Sequence, residues 1–366
     1  MSQPLRILHI VTYMGRGGLE TMLMNYYRNI DRSKVQFDFL VHRDFKADYD
    51  DEIESFGGRI YRISQLNPFS FSYYKALNIF FSEHKYKIVH CHLDCMSAIP
   101  LSVAKKYNIP IRIAHSHNSS QDKNLKYIIK LFAKKIIPFF STDLFACSEI
   151  AGKWMFGNNN FSILNNAIDT SKFIYNKSKE FELRKHLNLT NNFVVGHIGR
   201  FNPQKNHDFL IDIFYELYKS DNTAKLVLVG SGDLQKTIEN KVENYGLTHN
   251  VLFLGSRDDV HEILQAFDVF VFPSLYEGLG IVAIEAQCAG IPCIVSDTVP
   301  EDARISSEFN YLSLNSSAKR WAKEIIKYKN FQKTDSSDNI INAGYDISEK
   351  AKWLEDYYLE MSKQYE

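Results

Sequence analysis

Two glutamates with seven residues between them flank a glycine-containing loop in the second half of the chain. An apolar run ends at Pro273, Glu277 follows it, and Glu285 lies in the helical pattern that comes next. A strand, a glycine loop and a helix N-terminus together present free backbone N–H groups, which bind a diphosphate without a charged side chain. Carboxylates beside a diphosphate are unfavourable unless they bind hydroxyl groups, so Glu277 is predicted to hold a sugar and Glu285 a ribose. The predicted phosphate-lining residues are Gly278, Leu279, Gly280 and Ile281.

Either glutamate alone is better explained as an exposed surface residue, so the combined pattern carries the prediction. Two cations strengthen it, since Arg200 and Lys205 follow the apolar run Phe193–His197 in the first loop of this half. Arginine grips phosphate bidentately and lysine acts as a point charge, so both would neutralise a leaving diphosphate. Gly230 would let a nucleotide approach the backbone, although an ordinary turn explains it equally well. The backbone at Leu254–Arg257 is expected to meet the base.

The first half of the chain contains two histidines at the end of a predicted strand. His115 and His117 end the apolar run that begins at Ile111, at the carboxyl end of a predicted strand, where α/β architecture places its ligands. They are therefore candidate site residues, with a pair of half-buried structural histidines as the alternative.

A zinc site is the other chemistry that this half suggests. The residues that invite it are His90, Cys91, His92 and Cys95. Their spacing does not match common zinc frameworks, and His90 and His92 are expected to point to opposite faces of their strand. We therefore expect no metal.

Short apolar runs alternate with helical patterns along all 366 residues, which is typical of parallel α/β architecture. The polar, lysine-rich stretch Thr170–Asn192 is interpreted as a linker with its flanks. We expect Rossmann-like domains at residues 1–175 and 176–345 that face each other across a cleft, and a C-terminal helix at 346–366 that packs back on the first domain. The predicted strands are Arg6–Thr12, Val35–Val41, Arg59–Ile63, Ile88–Cys91, Ile111–His115, Asp143–Cys147, Phe193–His197, Lys225–Val229, Val251–Leu254, Asp268–Phe272 and Pro292–Ser296.

Composition excludes several classes of protein. The formal net charge is zero, which argues against nucleic acid as a partner, but residues 1–185 carry 26 basic and 17 acidic side chains. Five cysteines favour a reducing compartment, and no apolar run approaches the ~20 residues that span a bilayer. We predict a cytoplasmic protein, and its basic first half favours an anionic partner there.

The segment Lys123–Phe140 is predicted to form a basic amphipathic helix, which is a candidate surface for an anionic partner. Lysines and large apolar residues recur in it with helical spacing. A helix of this kind lies on an anionic membrane or packs its apolar face on its own domain, and the sequence leaves both open.

Seven short motifs occur in a characteristic order. They are Gly17-Gly18-Leu19-Glu20, Cys147-Ser148-Glu149, Asn166-Ala167-Ile168-Asp169, Gly199-Arg200 with Lys205-Asn206, Gly230-Ser231-Gly232, Pro273-Ser274 with Glu277-Gly278, and Glu285-Ala286. From about Leu5 to about Asp297, this order resembles the retaining family-four glycosyltransferases of the GT-B fold, above all the bacterial capsule and exopolysaccharide enzymes.

The resemblance implies transfer of a hexosyl group from a nucleotide-diphosphate sugar, with UDP favoured, to a lipid-linked or oligosaccharide acceptor. It implies retention of anomeric configuration, no divalent metal and no cofactor. The first domain would be the acceptor side and the second the donor side. The loop at Gly17 and Gly18 would lie against the donor phosphates and sugar. His117 would contact the donor sugar, with His115 as the alternative, and would act with Glu277, Arg200 and Lys205.

Other functions remain open as well, among them those of sugar-nucleotide epimerases and phosphorylases, which share the two-domain scaffold. Gly15-Arg16-Gly17-Gly18 after the first strand is part of a dinucleotide-binding fingerprint, but Glu20 occupies the place of its third glycine. A binder of nucleotide sugars without transfer activity is another alternative.

Overall fold

The computed structural model describes residues 3–120 and 127–365, so the start of the predicted basic helix, residues 123–126, lies outside the described residues. The chain folds into two compact units. The first consists of Met1–Ile168 with Asp346–Glu366, and the second of Asp169–Tyr345. The boundary therefore follows Ile168, a few residues before the predicted boundary at 175/176. Each unit has a parallel sheet with helices, so the predicted pair of Rossmann-like folds is confirmed.

In the first unit, the described strands form a seven-stranded parallel sheet in the order β3-β2-β1-β4-β5-β6-β7. They are β1 (Leu5–Val11), β2 (Val35–Val41), β3 (Ile60–Arg62), β4 (Ile88–Cys91), β5 (Ile111–Ser116), β6 (Asp143–Ala146) and β7 (Ser162–Ile163). The helices between them are α1 (Gly18–Asn29), α2 (Asp50–Ser55), α3 (Phe71–Glu83), α4 (Ala98–Lys106), α5 (Tyr127–Phe140) and α6 (Glu149–Phe156). Among the described residues, no helix is long and apolar enough to cross a bilayer.

The second unit contains a six-stranded parallel sheet, again counted over its described residues, in the order β10-β9-β8-β11-β12-β13. Its strands are β8 (Phe193–Ile198), β9 (Ala224–Val229), β10 (Val251–Phe253), β11 (Val269–Phe272), β12 (Cys293–Ser296) and β13 (Phe309–Leu312). Its helices are α7 (Thr170–Phe173), α8 (Lys177–His186), α9 (His207–Ser220), α10 (Gln235–Asn244), α11 (Val260–Ile263), α12 (Ile281–Cys288), α13 (Ala318–Ile325) and α14 (Ser337–Asn342).

The last helix, α15 (Ile347–Lys363), belongs to the first unit and lies against α1. Its inward residues include Leu354 and Tyr358, which are buried in the same apolar core as Phe37. Polar contacts fix its position as well, because the Glu355 carboxylate accepts a 2.8 Å hydrogen bond from the backbone of Asp31. The core of the first unit is thus completed by the end of the chain.

The stretch Thr170–Asn192 is not the linker that we predicted, because it contains α7 and α8. None of the residues of α8 is buried, so this helix lacks the apolar periodicity that reveals helices in a sequence. Its start is instead determined by Asn176, whose side chain accepts hydrogen bonds from the backbone of Ser178 and Lys179. The predictions also lacked β7, which has two residues, and β13, which is only partly apolar.

Candidate active site

Two loops of the second unit meet at the carboxyl edge of its sheet. One joins β8 to α9 and the other joins β11 to α12, and β8 and β11 are neighbouring parallel strands. The backbone N–H of Leu275 donates to the carbonyl of Gln204 over 2.8 Å, and the Gln204 amide donates to the Tyr276 carbonyl over 3.0 Å. The side chain of Asn206 donates to the Pro273 carbonyl over 3.1 Å. These bonds tie the two loops together.

The two loops bring together the lysine and the glutamate that the sequence predicted. Lys205 Nζ lies 2.7 Å from Glu277 Oε1, and the side chains are 17% and 7% exposed. Nζ also lies 4.7 Å from the centre of the Phe272 ring, which is a cation–π distance. Because little solvent reaches the pair, its charges are screened less than those of a surface ion pair. A fixed cation and a fixed carboxylate therefore stand side by side.

The loop beyond Glu277 is shaped by Gly280. This residue is the N-cap of α12 with φ +84°, in the left-handed region, and a Cβ there would lie 3.3 Å from the Phe272 ring. No side chain caps the helix among the described residues, and the Ala283 N–H donates to the Gly280 carbonyl over 2.8 Å, so the N–H groups that the helix start presents to an anion are those of Ile281 and Val282. Leu279 is 2% exposed, so its side chain is packed inside the unit. With Gly278 and Ile281, these residues form the predicted phosphate-lining segment.

Glu285 lies in α12 and is 6% exposed. Burial disfavours its charged form and raises the pKa of its carboxyl to about 8. A neutral carboxyl group can both donate and accept hydrogen bonds, as a ribose diol requires.

Gly230 is explained by packing. It has φ +134°, and a Cβ on it would lie 2.1 Å from the carbonyl oxygen of Gly199 in the neighbouring loop. The Gly199 N–H in turn donates to the Val229 carbonyl over 2.9 Å. Close approach of two loop backbones is thus sufficient reason for glycine at this position, whether or not a ligand binds.

The two predicted arginines are both exposed. Arg200 lies in the same loop as Lys205. Arg257 follows β10 and forms a 2.5 Å ion pair with Asp259, which holds the pKa of its guanidinium above the ordinary value through a hydrogen bond to that carboxylate. A base at this loop would thus meet a paired arginine.

Two asparagines that shape the β8–α9 loop were not predicted as site residues. The Asn202 side chain accepts a 3.2 Å hydrogen bond from the Lys205 N–H, and Asn206 has φ +54°, which asparagine tolerates better than most residues. The signal was in the sequence, because Asn-Pro followed by a second asparagine is typical of a tight turn before a helix.

In the first unit, Gly17 and Gly18 lie where β1 passes into α1. Gly17 is the N-cap of α1 in an extended conformation, and its carbonyl accepts from the Thr21 N–H over 2.9 Å. Gly18 is exposed. The helix start thus presents backbone rather than side chains.

The prediction that His90 and His92 diverge is wrong. Their ring centres lie 4.2 Å apart and the rings are stacked, because residues two apart along a strand line the same face of the sheet. His115 and His117 join them, and so does His9, which pairs in register with His90 in the sheet. Two trios offer ring nitrogens within 4.8 Å of one another, namely His9, His90 and His92, and His92, His115 and His117. The geometric argument against a metal therefore fails, and no sequence motif pointed to His9 as a member of this group.

The sequence model of the family Glycosyl transferases group 1 matches residues 178–346, almost all of the second unit. EpsF of Bacillus subtilis (strain 168), a protein named as a glycosyltransferase, is 38% identical over 336 residues, which cover 88% of this chain and 87% of EpsF. The chain belongs to the group 1 glycosyltransferases.

A second relative of this glycosyltransferase is the UDP-Gal:alpha-D-GlcNAc-diphosphoundecaprenol alpha-1,3-galactosyltransferase of Escherichia coli. The two are 28% identical over 312 residues, 79% of this chain and 78% of that enzyme. The crystal structure of Anabaena Alr3699/HepE in complex with UDP and glucose matches with a TM-score of 0.81 at 19% identity, covering 97% of this chain and 100% of that one. The predicted GT-B fold of the glycosyltransferase is confirmed.

Proposed function

We propose that this glycosyltransferase is a retaining, metal-independent hexosyltransferase that uses a UDP-sugar. The observation that carries the proposal is the Lys205–Glu277 pair, 2.7 Å apart, beside the helix N-terminus that Gly280 opens. It sets a cation for a diphosphate next to a carboxylate for sugar hydroxyls. UDP is favoured because the E. coli relative is named for UDP-Gal and the HepE structure contains UDP and glucose.

In this proposal the donor lies along the edge formed by the two loops. Its diphosphate accepts hydrogen bonds from the backbone of Gly278–Ile281, Lys205 and Arg200 add positive charge, and Glu277 binds hydroxyls of the hexose. Glu285 takes the ribose. The backbone at Leu254–Arg257 receives the base, and Gly17 and Gly18 receive phosphate and sugar, as the family resemblance implies.

The reaction breaks the bond between the anomeric carbon and the diphosphate oxygen and forms a bond from that carbon to an acceptor hydroxyl oxygen. The hydroxyl proton passes to the leaving diphosphate, so charge and atoms balance. We assign no side chain as nucleophile, and attack comes from the face that the diphosphate leaves, which retains configuration. Catalysis then rests on positioning and on stabilising the charge of the leaving diphosphate.

Metal independence is supported by the positive groups at the proposed donor site, which would neutralise the charge of the diphosphate. Lys205 and a helix N-terminus supply the positive charge that a divalent cation supplies in other transferases. Both trios of potential metal ligands among the described residues belong to the first unit, whereas these loops belong to the second.

The proposed acceptor is a lipid-linked sugar or an oligosaccharide in the synthesis of a surface polysaccharide. The name of the E. coli relative describes a sugar carried on undecaprenol diphosphate. Such an acceptor is confined to a membrane, so an enzyme that uses it must reach the bilayer surface. In the first unit, we assign His117 to the donor sugar and the acceptor, with His115 as the alternative.

Helix α5 supports a membrane-facing role on the cytoplasmic side. Ile128, Phe132 and Phe139 are 77%, 66% and 71% exposed and recur at helical spacing, while Ala133 and Ile137 point into the unit. Large apolar side chains therefore face outward, accompanied by the exposed Lys135. An outward apolar stripe with lysines fits an anionic lipid surface better than packing on the domain.

Transfer assays with labelled UDP-hexoses and undecaprenyl-diphosphate sugars test the proposal. We expect product in the presence of EDTA, with the anomeric configuration of the donor shown by proton coupling constants. Thermal shifts with a nucleotide panel identify the donor first, since a ligand at 100 times its Kd adds about 2.7 kcal/mol to the unfolding free energy. A product with inverted configuration would overturn retention, and dependence on a divalent cation would overturn metal independence. UDP binding without transfer to any acceptor would overturn the proposed hexosyl transfer.

A further inference from the structure

Five histidines meet inside the first unit, carried by three adjacent strands or the residues just after them. They are His9, His90, His92, His115 and His117. His9 Nδ1 lies 3.0 Å from His92 Nε2, and His92 Nδ1 lies 2.9 Å from His117 Nε2. The three rings therefore form one row from the core to the residue after β5.

A second row lies on the first. The Tyr358 hydroxyl lies 2.7 Å from His90 Nδ1, and His90 Nε2 lies 3.1 Å from His115 Nδ1. His90 stacks on His92 with ring centres 4.2 Å apart, and His115 lies over His117 at 4.0 Å. The second row thus supports the first along its length.

The rings meet in line. The ring centres of His9 and His92 are 5.3 Å apart and their nitrogens 3.0 Å apart; for His92 and His117 the values are 5.2 and 2.9 Å. In each pair the distance between ring centres exceeds the distance between nitrogens by about one ring radius for each ring. The two nitrogens therefore lie on the line that joins the ring centres. This is the geometry of N–H···N hydrogen bonds.

A metal would impose another arrangement. Its ligands aim one nitrogen each at a common point about 2.0–2.1 Å away. His92 instead directs its two nitrogens to neighbours on opposite sides, and both potential metal trios require this same residue. The geometry favours a hydrogen-bonded row over a metal centre.

A neutral imidazole has one N–H and one bare nitrogen, so the protons of a row must all point the same way. At the inner end His9 Nε2 is buried with no hydrogen-bond partner in the described part of the chain, and its ring is tilted by 55° to that of Phe37, with ring centres 4.1 Å apart. Aromatic faces attract an N–H group rather than a lone pair. His9 then keeps its proton on Nε2, His92 donates to His9, and His117 donates from Nε2 to His92.

We propose that this row fixes His117 in the tautomer with a bare Nδ1, which accepts a hydrogen bond from a substrate hydroxyl. His117 Nδ1 is buried and has no hydrogen-bond partner among residues 3–120 and 127–365. His9 and His92 are therefore positioning residues that act through His117. The substrate contact rests on the proposed function, whereas the tautomer does not.

The tautomer is measured directly by long-range ¹⁵N–¹H correlation on protein labelled at histidine, with the His117 signals assigned from a His117→Gln variant. We expect His117 in wild-type protein to carry its proton on Nε2. The Nδ1–H tautomer at His117 would overturn the proposal, and so would stoichiometric zinc that is retained after purification and shifts the signals of the row. Neither measurement requires transfer activity, so failure of the proposed function is separately visible.

His9→Phe tests the coupling at a distance. Phenylalanine suits the aromatic surroundings but removes the acceptor of His92, so the His117 signals should show a mixture of tautomers. The kcat should fall roughly three- to ten-fold, the value of one hydrogen bond, while the donor KM stays unchanged. His9→Asn, whose side-chain oxygen can stand in for Nδ1, should restore the wild-type tautomer and rate.

His42→Phe is the matched control. His42 is equally buried in the same sheet and bonds to the Val11 carbonyl and the Tyr73 hydroxyl, each over 2.8 Å, outside both rows. Its loss should lower the melting temperature but leave the His117 signals and kcat unchanged. If His9→Phe and His42→Phe behave alike in both readouts, His9 has only a structural role.

Discussion

Lys205 and Glu277 have opposite electrostatic relations to a bound diphosphate, and the protein holds them 2.7 Å apart. The lysine attracts the phosphates, and it also offsets the repulsion between those phosphates and the glutamate. In the proposed complex, Glu277 can therefore lie close to the donor phosphates and use its oxygens for hydroxyl groups. A carboxylate without that neighbour would weaken donor binding.

Glu277→Gln should reduce kcat by about 10² to 10³, because an amide cannot supply the charge that a polarised sugar needs in the transition state. The change is isosteric, so the melting temperature should stay within a few degrees. Steady-state transfer rates measure it. Glu301→Gln is the control, since Glu301 is 72% exposed in the same unit, and equal rates in both variants would disprove the role of Glu277.

Glu285 makes stability depend on pH. Its pKa is about 8 in the folded protein against an ordinary 4.5, so between these values the folded state binds a proton that the unfolded state lacks. The unfolding free energy therefore falls as pH rises through this window, by about 1.4 kcal/mol per pH unit from this group. Glu285→Gln should remove that slope.

Urea unfolding at pH 5 and pH 8.5 measures this effect. The variant should be more stable than the wild type at pH 8.5 and similar to it at pH 5. Parallel pH profiles for the two proteins would show that Glu285 is not perturbed. Weaker UDP binding by the variant is the separate expectation from its proposed contact with ribose.

At the scale of elements, the start of α12 depends on a backbone conformation. Gly280→Ala puts a side chain at φ +84° and 3.3 Å from Phe272, so it should destabilise the protein by about 1–2 kcal/mol and weaken UDP binding. Gly246→Ala is the control, since Gly246 has φ +69° with open space around it, far along the chain from the loop. Calorimetric titration should show weaker UDP binding by Gly280→Ala than by Gly246→Ala. Equal UDP affinity of the two variants would contradict a phosphate site at Gly280.

Elements with an apolar period could be predicted from the sequence. The bounds of β2 and β4 agree with the predicted ones because every residue in them is buried. Helix α8 could not be found, because it buries none of its residues. The donor loops were predictable because they consist of glycine, proline and acidic residues. The conformational and chemical preferences of these residues depend on their neighbours in the sequence.

The histidine rows were not predictable, because they depend on which strands are neighbours. His9 meets His90 only since β1 pairs with β4, and no local pattern contains that pairing. The error at His92 has a local cause, because only successive residues of a strand alternate between faces, whereas residues two apart, such as His90 and His92, share one face.

At the scale of the whole molecule, the exposed stripe on α5 predicts where the protein resides. The double variant Phe132→Ser with Phe139→Ser should lose binding to vesicles that contain anionic lipid, because both rings are more than half exposed and would insert at the interface. Sedimentation with vesicles measures it.

Phe181→Ser is the matched control, because Phe181 is 59% exposed in the second unit, on α8. Its vesicle binding should equal that of the wild type, and both proteins should bind less to neutral vesicles. Binding by the double variant at the wild-type level would refute the role of α5, and transfer to a soluble acceptor should be unaffected.

The path of the chain has a consequence for how such enzymes diversify. The residues on either side of the second unit are neighbours, because Ile168 and Asp346 form a parallel bridge and the Ile347 N–H donates to the Ile168 carbonyl over 2.9 Å. Residues 169–345 are thus a cassette with both ends anchored at one point of the host. Exchange of this segment with that of a homologue would leave the core of the first unit intact and, under the donor role proposed for the second unit, would change the sugar that is transferred.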